Sequence, residues 1–387
     1  MTSIDTKLAS VLEAARTVLR GALSKRARQG AAATLLADAV RRVSLAYRRE
    51  QGDLPSLMRD RDAIEARLAF FLPRDLPKLI APLRELAAAG CAPRGETLRV
   101  LDLGSGLGTS GFGAAAFVLG QQLAARVSIH AIDVDAEALA VAEQIAVELT
   151  TSHGFALEYE AVQRPLEHVV QERGGQRYDL IVLGLVLNEL EGLDGVAALH
   201  ALCARLAPGG ALIALEPALR EQSRALQRVR DAIVARAAAP YVFAPCLHTR
   251  ACPLLERDRD WCHERLQSPL PEEAAQLARA AGLRDEDLTF SYLTLRNEPG
   301  SLAELSATGA LYRVVGGPLV TKGKRELLVC GSDAARLLRR LDRKASAANR
   351  AIEVARRGSV VAIEAGDVAG PDRAIGAETN VRIVHEA

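Results

Sequence analysis

The sequence predicts an α/β protein in which a helical amino-terminal region precedes a doubly wound parallel sheet. From Leu98 onward, strand-like apolar runs alternate with helix-like stretches, as in LRVLDLG, VSIHAIDVD and YDLIVLGLV. A glycine-rich turn, GSGLG, directly follows the first of these strands. Before that point apolar residues recur at three- and four-residue spacing, which is the period of an amphipathic helix. Alternating strands and helices build parallel sheets covered on both faces.

Length and composition describe an ordinary globular protein. The chain has 387 residues, a formal net charge of +1 and 25% charged residues. This length allows two or three domains, each with its own core. Near-neutral charge excludes a whole-molecule attraction to nucleic acid and leaves only local patches for such binding. Apolar runs are all too short for a membrane span, so we expect no membrane partner.

Residues 1–90 are predicted to be helical, with apolar periodicity in LASVLEAARTVL and AATLLADAVRRVSLAYRR. The first thirty residues are basic and amphipathic, like a mitochondrial transit peptide, but they contain Asp5 and Glu13, which such peptides avoid. We therefore expect a cytoplasmic protein, with the mitochondrial matrix as the alternative. In a reducing compartment, clustered cysteines favour metal binding over disulfides.

The strands and helices after residue 98 follow in a regular order. The sheet is predicted from the strands LRVLDLG, VSIHAIDVD, YDLIVLGLV and GGALIALEP. Helix AEALAVAEQIAVELT follows the second of these strands, and helix VAALHALCARL precedes the last. A basic helix is predicted from about Arg220 to Ala239, then a cysteine-containing segment, helix PEEAAQLARAAGL and strands LTFSYLTLR, ALYRVVGGP and RELLVC. The predicted parts are a helical region (1–90), the sheet domain (91–239), a cysteine extension with completing strands (240–335), and a basic helix with a β-like tail (336–387).

The glycine turn is predicted to bind a nucleotide cofactor. Its candidate binding residues are Asp102, Gly104, Ser105, Gly106 and Gly108. Glycines permit a tight turn and close approach of the backbone to a ligand. A GxGxG pattern alone also fits NAD sites, so the surrounding residues decide the cofactor.

Three further features favour S-adenosylmethionine over NAD. An acidic residue stands two positions before the first glycine, and Asp133 ends the second strand, where it can accept hydrogen bonds from ribose hydroxyls. The order of GLVLNEL and LAPGGALIALEP is typical of class I methyltransferases, and it adds Asn188 to the candidate cofactor residues. Asn188 and Glu189 could equally be a helix cap. The fold class predicted is thus a Rossmann-like class I methyltransferase domain.

Four of the six cysteines form a candidate metal site: Cys246, Cys252, Cys262 and Cys330. Their spacing, Cys-x5-Cys-x9-Cys and then a late fourth cysteine, is unlike paired CxxC zinc knuckles. Four thiolates can bind either zinc or an iron–sulfur cluster. His248 and His263 could replace a cysteine as zinc ligands. No tight CxxxCxxC loop is present, which disfavours radical S-adenosylmethionine chemistry.

Two basic segments are candidate phosphate-binding faces. Between Lys322 and Arg357 eleven Lys or Arg stand against four acidic residues, and a second group comprises Arg220, Arg224, Arg228, Arg230 and Arg236. Such concentrations on a near-neutral protein suit RNA backbone contacts, although a solvated arginine-rich helix has the same pattern.

Together these features resemble the methyltransferase-like family that includes the mitochondrial small-ribosomal-subunit assembly protein and its bacterial relatives. The most specific pieces are FAPC–x5–CP–x7–WCH, the FSYLTL strand, LNEL, and a basic segment leading to a late cysteine. The resemblance implies S-adenosylmethionine binding and a 4Fe–4S cluster on Cys246, Cys252, Cys262 and Cys330. It also implies association with small-subunit ribosomal RNA. The chain departs from the family at Cys246-Leu247-His248, where relatives tend to have CPH, and at EPALREQS after the last methyltransferase strand.

The predicted function is therefore methyl transfer to, or assembly work with, small-subunit ribosomal RNA. No side chain stands out as a general base, so the catalytic residues are unknown, and positioning of the acceptor would supply much of the rate. The alternatives are a non-catalytic assembly factor that retains the cofactor site, and a small-molecule or protein methyltransferase with a structural zinc site. We expect a monomer away from the ribosome.

Overall fold

The computed structural model describes residues 2–27, 33–47, 61–172, 174–187, 194–283, 287–305, 310–332, 335–364 and 373–385. Its α-helices in chain order are α1 (Ser3–Ala27), α2 (Ala33–Tyr47), α3 (Arg61–Ala66), α4 (Leu72–Asp75), α5 (Ile80–Ala88), α6 (Thr109–Gly120), α7 (Ala136–Ser152), α8 (Leu166–Gln171), α9 (Gly195–Cys203), α10 (Arg220–Val234), α11 (Glu272–Ala280), α12 (Leu302–Leu305) and α13 (Ala351–Val354). Among the helices so described, none combines the length and the apolar character that a membrane span requires.

The strands in chain order are β1 (Gly95–Leu103), β2 (Ala124–Asp133), β3 (Leu157–Gln163), β4 (Tyr178–Gly184), β5 (Leu206–Pro217), β6 (Tyr241–Ala244), β7 (Glu264–Leu266), β8 (Leu288–Arg296), β9 (Ala310–Val314), β10 (Leu319–Thr321), β11 (Lys324–Gly331), β12 (Ala335–Leu341), β13 (Val360–Ile363), β14 (Arg373–Ile375) and β15 (Val381–His385). The strands predicted from LRVLDLG, VSIHAIDVD, YDLIVLGLV, LTFSYLTLR and RELLVC are confirmed as β1, β2, β4, β8 and β11.

The chain forms two compact units, each made of several segments. Unit 1 comprises Met1–Ile80, Pro93–Val186 and Ser268–Leu288, and unit 2 comprises Ala81–Ala92, Leu187–Gln267 and Thr289–Ala387. The four-part division drawn from the sequence stays a prediction.

Unit 1 contains the parallel strands β3, β2, β1 and β4, side by side in that order. The middle of β4 is almost wholly buried, as expected of a parallel strand covered on both faces. Helix α1 packs against α6 and α7. A second core joins α2 and α3 to α11 through Val40, Phe70 and Ala278. The amino-terminal helices are thus part of this unit's core.

Unit 2 contains β5, β8 and β6 side by side, and β8 runs antiparallel to both neighbours. The parallel strands of unit 1 and the helices beside them agree with the α/β core of the predicted fold class. A second sheet has the order β14-β12-β11-β9-β13-β15, and β10 pairs with β11. Its core includes Tyr312, Leu327 and Leu338.

The basic helix predicted to begin at residue 336 is wrong, because Ala335–Leu341 is strand β12. This strand pairs with β11 along its whole length, from Lys324↔Leu341 to Cys330↔Ala335. Leu338 and Arg340 are buried at two-residue spacing. Short runs such as RLLRRL fit either period, and pairing with β11 and β14 outweighs the helix propensity of Leu and Arg.

Candidate cofactor loop and cysteine cavity

The glycine loop of unit 1 leaves the carboxyl end of β1 and enters α6. Strands β1 and β2 are paired up to Leu103↔Ile132, so the loop starts beside the end of β2. The N–H groups of Gly104 and Ser105 donate to Ile132 O at 2.9 and 3.1 Å. In open α/β sheets, ligands bind at this carboxyl edge of the strands.

Two loop glycines have a left-handed backbone and a close neighbour at the Cβ position. Gly104 has φ +64°, and a Cβ there would lie 2.2 Å from the Val186 side chain. Gly106 has φ +51°, and a Cβ there would lie 2.4 Å from Arg67 Nη2. A left-handed backbone favours glycine at both positions, and at Gly104 the branched Val186 side chain also leaves no room for a Cβ, whereas at Gly106 the close atom is the movable end of Arg67. The structure thus gives a physical reason for these two predicted residues.

Asp133 lies where the sequence predicted it, at the last position of β2. Its Oδ2 accepts the Gly106 N–H at 2.7 Å, and its Oδ1 accepts the Asp135 N–H at 2.8 Å. Each carboxylate oxygen has a second lone pair, so both can accept a further donor. The loop and this acidic side chain are thereby fixed against each other.

Asp102 is fully buried at the end of β1, and its Oδ2 accepts the Gly111 N–H at 2.9 Å. Burial raises the pKa of this carboxyl to about 7, opposed by that backbone hydrogen bond and assisted by the negative charge of Asp133. The side chain ties β1 to the first turn of α6. Its role is to brace the loop from beneath.

Arg67 is a residue of this site that the sequence did not reveal. It opens the π-helical turn Arg67–Phe71 and is 9% exposed, with Nη1 3.2 Å from Asp135 Oδ2. Its guanidinium therefore lies against the glycine loop. An arginine in the helical stretch before the sheet carries no sequence signal for this position. Turns of π-helix are frequent at functional sites.

The remaining predicted cofactor residues are Ser105, Gly108 and Asn188. Ser105 is buried in the loop, and Gly108 has φ +76° at the start of α6. Asn188 lies outside the described residues.

In unit 2 one small cavity is lined by all four predicted metal ligands. Its walls are formed by Gln227, Pro245, Cys246, Leu247, His248, Cys252, Leu254, Cys262, Arg313, Val315 and Cys330. Cys246 follows β6, Cys252 precedes the 3-10 turn Pro253–Glu256, and Cys330 lies within β11. Chain segments far apart in sequence therefore converge on one point.

The four thiols are free and strongly influence one another. Burial and the neighbouring Cys246 raise the pKa of Cys252 to about 11, and burial with both of those cysteines raises the pKa of Cys330 to about 12. Burial raises the pKa of Cys262 well above its usual value, again assisted by the other thiols. None of the six cysteines forms a disulfide. Within the described residues, no group of three or more His, Cys, Asp or Glu is arranged to hold a single metal ion.

Buried arginines of α10 hold the backbone that carries these cysteines. Arg224 donates to the carbonyl oxygens of Leu254, Leu255, Arg257 and Asp260. Arg230 is fully buried and donates to the carbonyl oxygens of His248 and Arg250. Both had been predicted in a phosphate-binding group, and that part of the prediction is wrong. The carbonyls of an irregular buried loop need donors, and these guanidinium groups supply them.

Other polar groups fix the chain close to each ligand position. Asp231 accepts the Cys252 N–H at 2.9 Å, and Ser291 Oγ donates to Cys262 O at 2.9 Å. Arg313 Nε donates to Pro245 O at 2.8 Å, and its Nη2 contacts Glu85 Oε1 at 2.5 Å. These hydrogen bonds fix the chain beside Cys246, Cys252 and Cys262, and Cys330 is held by the pairing of β11 with β12 and β9.

A family model described as "Mitochondrial small ribosomal subunit Rsm22" matches residues 65–367. The chain belongs to this family. The matched part of the Rsm22 family model includes the glycine loop, Asp133 and all four cavity cysteines. No curated protein matches the chain.

Solved structures similar to this Rsm22-family chain include two methyltransferases. Magnesium protoporphyrin IX methyltransferase from Synechocystis PCC 6803, with bound SAM, is 13% identical with a TM-score of 0.34, covering 65% of this chain and 91% of that chain. A S-adenosylmethionine-dependent methyltransferase from Clostridium acetobutylicum ATCC 824 is 10% identical with a TM-score of 0.29, covering 57% of this chain and 90% of that chain. The fold assignment rests on the strand order within each unit and not on these likenesses.

Proposed function

We propose that this protein binds S-adenosylmethionine at the glycine loop and acts as a methyltransferase on, or together with, small-subunit ribosomal RNA. The observation that carries the proposal is the contact between Asp133 and Gly106, at the carboxyl edge of the parallel strands. Family membership supplies the ribosomal context, since the family description refers to the small ribosomal subunit.

The loop residues would divide the binding of the cofactor among them. Asp133 retains acceptor capacity for ribose hydroxyls, and Gly104 and Gly106 keep side chains out of the approach to the backbone. Arg67 places a positive charge beside the same loop, where a ligand carboxylate would find a partner. The bound cofactor supplies a methyl group on an already activated sulfonium. The chain's own contribution is to hold and orient.

An iron–sulfur cluster on the four cavity cysteines is part of the proposal, with zinc as the alternative. The cavity is lined by four thiols and by no aspartate or glutamate. Such a donor set suits either an iron–sulfur cluster or a zinc ion. In a tetrahedral zinc site, thiolates bound at about 2.3 Å come within about 4 Å of one another. In a 4Fe–4S cluster each thiolate binds a different iron, so the sulfurs lie farther apart. The four thiols that line the cavity suit either group, and iron, sulfide and zinc analysis of the purified protein distinguishes the two.

RNA contact is proposed at two adjacent exposed turns, which we call the basic turn surface: Lys322, Arg343 and Lys344. The turns are joined because the Asp342 N–H donates to Gly323 O at 2.9 Å. Arg339 and Arg340, which lie in the segment predicted to be a basic helix, are instead engaged within the second sheet. Arg340 is 4% exposed and pairs with Glu353, and Arg339 pairs with Glu326. Exposed cations remain available to phosphates.

The compartment is a further part of the proposal. Sequence features favour the cytoplasm with the mitochondrial matrix as the alternative, and the family description supports that alternative.

The test is anaerobic purification followed by iron, sulfide and zinc analysis, calorimetry with S-adenosylmethionine, and transfer of labelled methyl groups to immature small subunits. The proposal expects cofactor binding and labelled ribosomal RNA. Preference for NAD would overturn the cofactor assignment, and methylation of a protein or small molecule instead of RNA would overturn the substrate class.

A non-catalytic assembly factor is the second candidate. It is favoured by the sequence, which has neither an NPPY-type loop for amino-group substrates nor a cysteine placed for attack on a pyrimidine ring. Tight cofactor and RNA binding without any transfer of label would establish this candidate over the first.

A further inference from the structure

His248 stands in the wall of the cysteine cavity, between a buried arginine and one of the cysteines. Its Nε2 lies 3.4 Å from Cys330 Sγ. Its Nδ1 lies 3.2 Å from the Arg250 backbone nitrogen and 3.4 Å from Arg230 Nη2. The side chain is 7% exposed. Both ring nitrogens therefore face groups whose hydrogen-bonding capacity is known.

These neighbours decide which ring nitrogen carries the proton. The Arg250 N–H and the Arg230 guanidinium can only donate, so Nδ1 must be the acceptor. A neutral imidazole with an unprotonated Nδ1 carries its proton on Nε2. The remaining N–H is thus directed at Cys330 Sγ.

We infer that His248 is a positioning residue that donates its Nε2–H to the Cys330 thiolate and thereby raises the reduction potential of the cluster bound there. This inference rests on the proposed iron–sulfur cluster. Hydrogen bonds to ligand sulfurs are among the factors that set the potential of such clusters. Such a bond would stabilise the extra negative charge of a reduced cluster, for which dithionite supplies the electron in the test below, and no bond or proton would change place.

The alternative role for His248 is direct metal ligation. A histidine ligand would need a bare nitrogen toward the metal, but the donors at Nδ1 leave the proton on the nitrogen that faces the cavity. Cys330 shares that side of the cavity and supplies a thiolate instead.

The experiment compares His248→Leu, which removes the donor, with His248→Gln, whose amide can place an N–H near the position of Nε2. His263→Gln is the matched control: that ring stacks on Trp261, beside another cluster cysteine, and is not among the residues that line the cavity. Iron, sulfide and zinc are measured first, then the midpoint potential by dithionite titration followed by electron paramagnetic resonance.

We expect all three variants to keep about four irons per chain, the Leu variant to have a more negative midpoint, and the Gln variant to recover most of that difference. An unchanged midpoint in His248→Leu overturns the inference and leaves the cluster in place. Loss of iron from both His248 variants together with retention of iron in Cys330→Ser would make His248 a ligand and overturn it as well. Wild-type protein without iron and sulfide overturns the cluster proposal itself, and this inference with it.

Nitrogen NMR of histidine-labelled wild-type protein provides a second measurement that requires no variant. A protonated Nε2 with a bare Nδ1 at His248 is expected. The opposite tautomer contradicts the inference even if the Leu variant fails to fold.

Discussion

Asp133 joins the end of β2 to the glycine loop, because its two carboxylate oxygens accept the N–H groups of Gly106 and Asp135. At the scale of single residues, the shape of the glycine loop therefore depends on a side chain that, in the proposed function, would also accept hydrogen bonds from the cofactor.

Asp133→Ala should lower the affinity for S-adenosylmethionine about ten- to a hundredfold, since hydrogen bonds to a charged group contribute about 1.5–3 kcal/mol. Isothermal calorimetry measures this. Asp179→Ala is the control, because Asp179 also accepts a backbone N–H, that of Arg99. It lies at the amino end of β4, whereas the glycine loop lies at the carboxyl edge of the parallel strands. Equal affinity in wild type and Asp133→Ala would place the ribose acceptor elsewhere.

Asp102 should make stability depend on pH. Its pKa is raised to about 7 in the folded protein, by burial above all, against about 3.9 when unfolded. The folded state thus holds the proton more tightly, so the contribution of Asp102 to stability is fully present below about pH 4 and is lost as pH rises toward 7, by up to about 1.4 kcal/mol per pH unit. Asp102→Asn should abolish this slope while keeping an acceptor for Gly111, as denaturant titrations from pH 5 to 8 would measure. A slope of the same size in the variant would assign it to another group.

At the scale of secondary structure, α10 gives the cysteine loop its shape. One face of the helix buries Ser223, Arg224, Gln227 and Arg230 against the segments that line the cavity. The side chains that the sequence presents as a basic helix thus point in two directions, and only some of them face solvent.

Arg224→Leu should loosen the loop between Cys252 and Cys262, because four carbonyls lose a donor. Leaving a buried acceptor unpaired costs about 1–3 kcal/mol. We expect a lower melting temperature, faster proteolysis within the loop and a reduced metal content. Arg228→Leu, an exposed arginine of the same helix, should change none of these. If both variants behaved alike, the effect would come from helix charge alone.

The basic turn surface can be tested by reversing its charges. Lys322→Glu, Arg343→Glu and Lys344→Glu together should weaken binding to small-subunit RNA and flatten its dependence on salt by about one to three units, at about 0.7–0.9 per phosphate contact. Reversing three exposed arginines of unit 1 (Arg20, Arg41 and Arg126) provides a control with the same change in net charge. Filter binding over a range of salt concentrations measures both. Matching slopes for the two triple variants would exclude a specific role for these turns.

At the scale of the whole molecule, the two units should respond differently to loss of metal. The cavity cysteines all belong to unit 2, and a bound metal contributes its binding free energy to folding. Removing the metal from anaerobically purified protein should lower the melting temperature. Hydrogen exchange should become faster in residues 246–262 and in β11, with β1 to β4 unaffected. Uniform acceleration over both units would mean that metal supports the entire fold.

Much of this molecule could be predicted from local sequence. Short apolar runs predict buried parallel strands such as β4, and the glycines after β1 predict a tight turn with a left-handed backbone. The acidic residue at the end of β2 was placed correctly because strand ends and sheet edges coincide. The rarity of cysteine made four of them candidates before their positions in space were known.

Only the tertiary structure decided which way the longer side chains point and which strands become neighbours. Pairing with β11 turned a helix-like basic run into β12, and burial turned Arg224 and Arg230 from presumed RNA contacts into donors for loop carbonyls. Arg67 reaches the glycine loop from a distant helical turn, and no local pattern encodes that approach. Local sequence determines backbone preference and apolar periodicity. The partners of a buried charge are decided later, because folding brings it next to backbone groups that still need a hydrogen-bond partner.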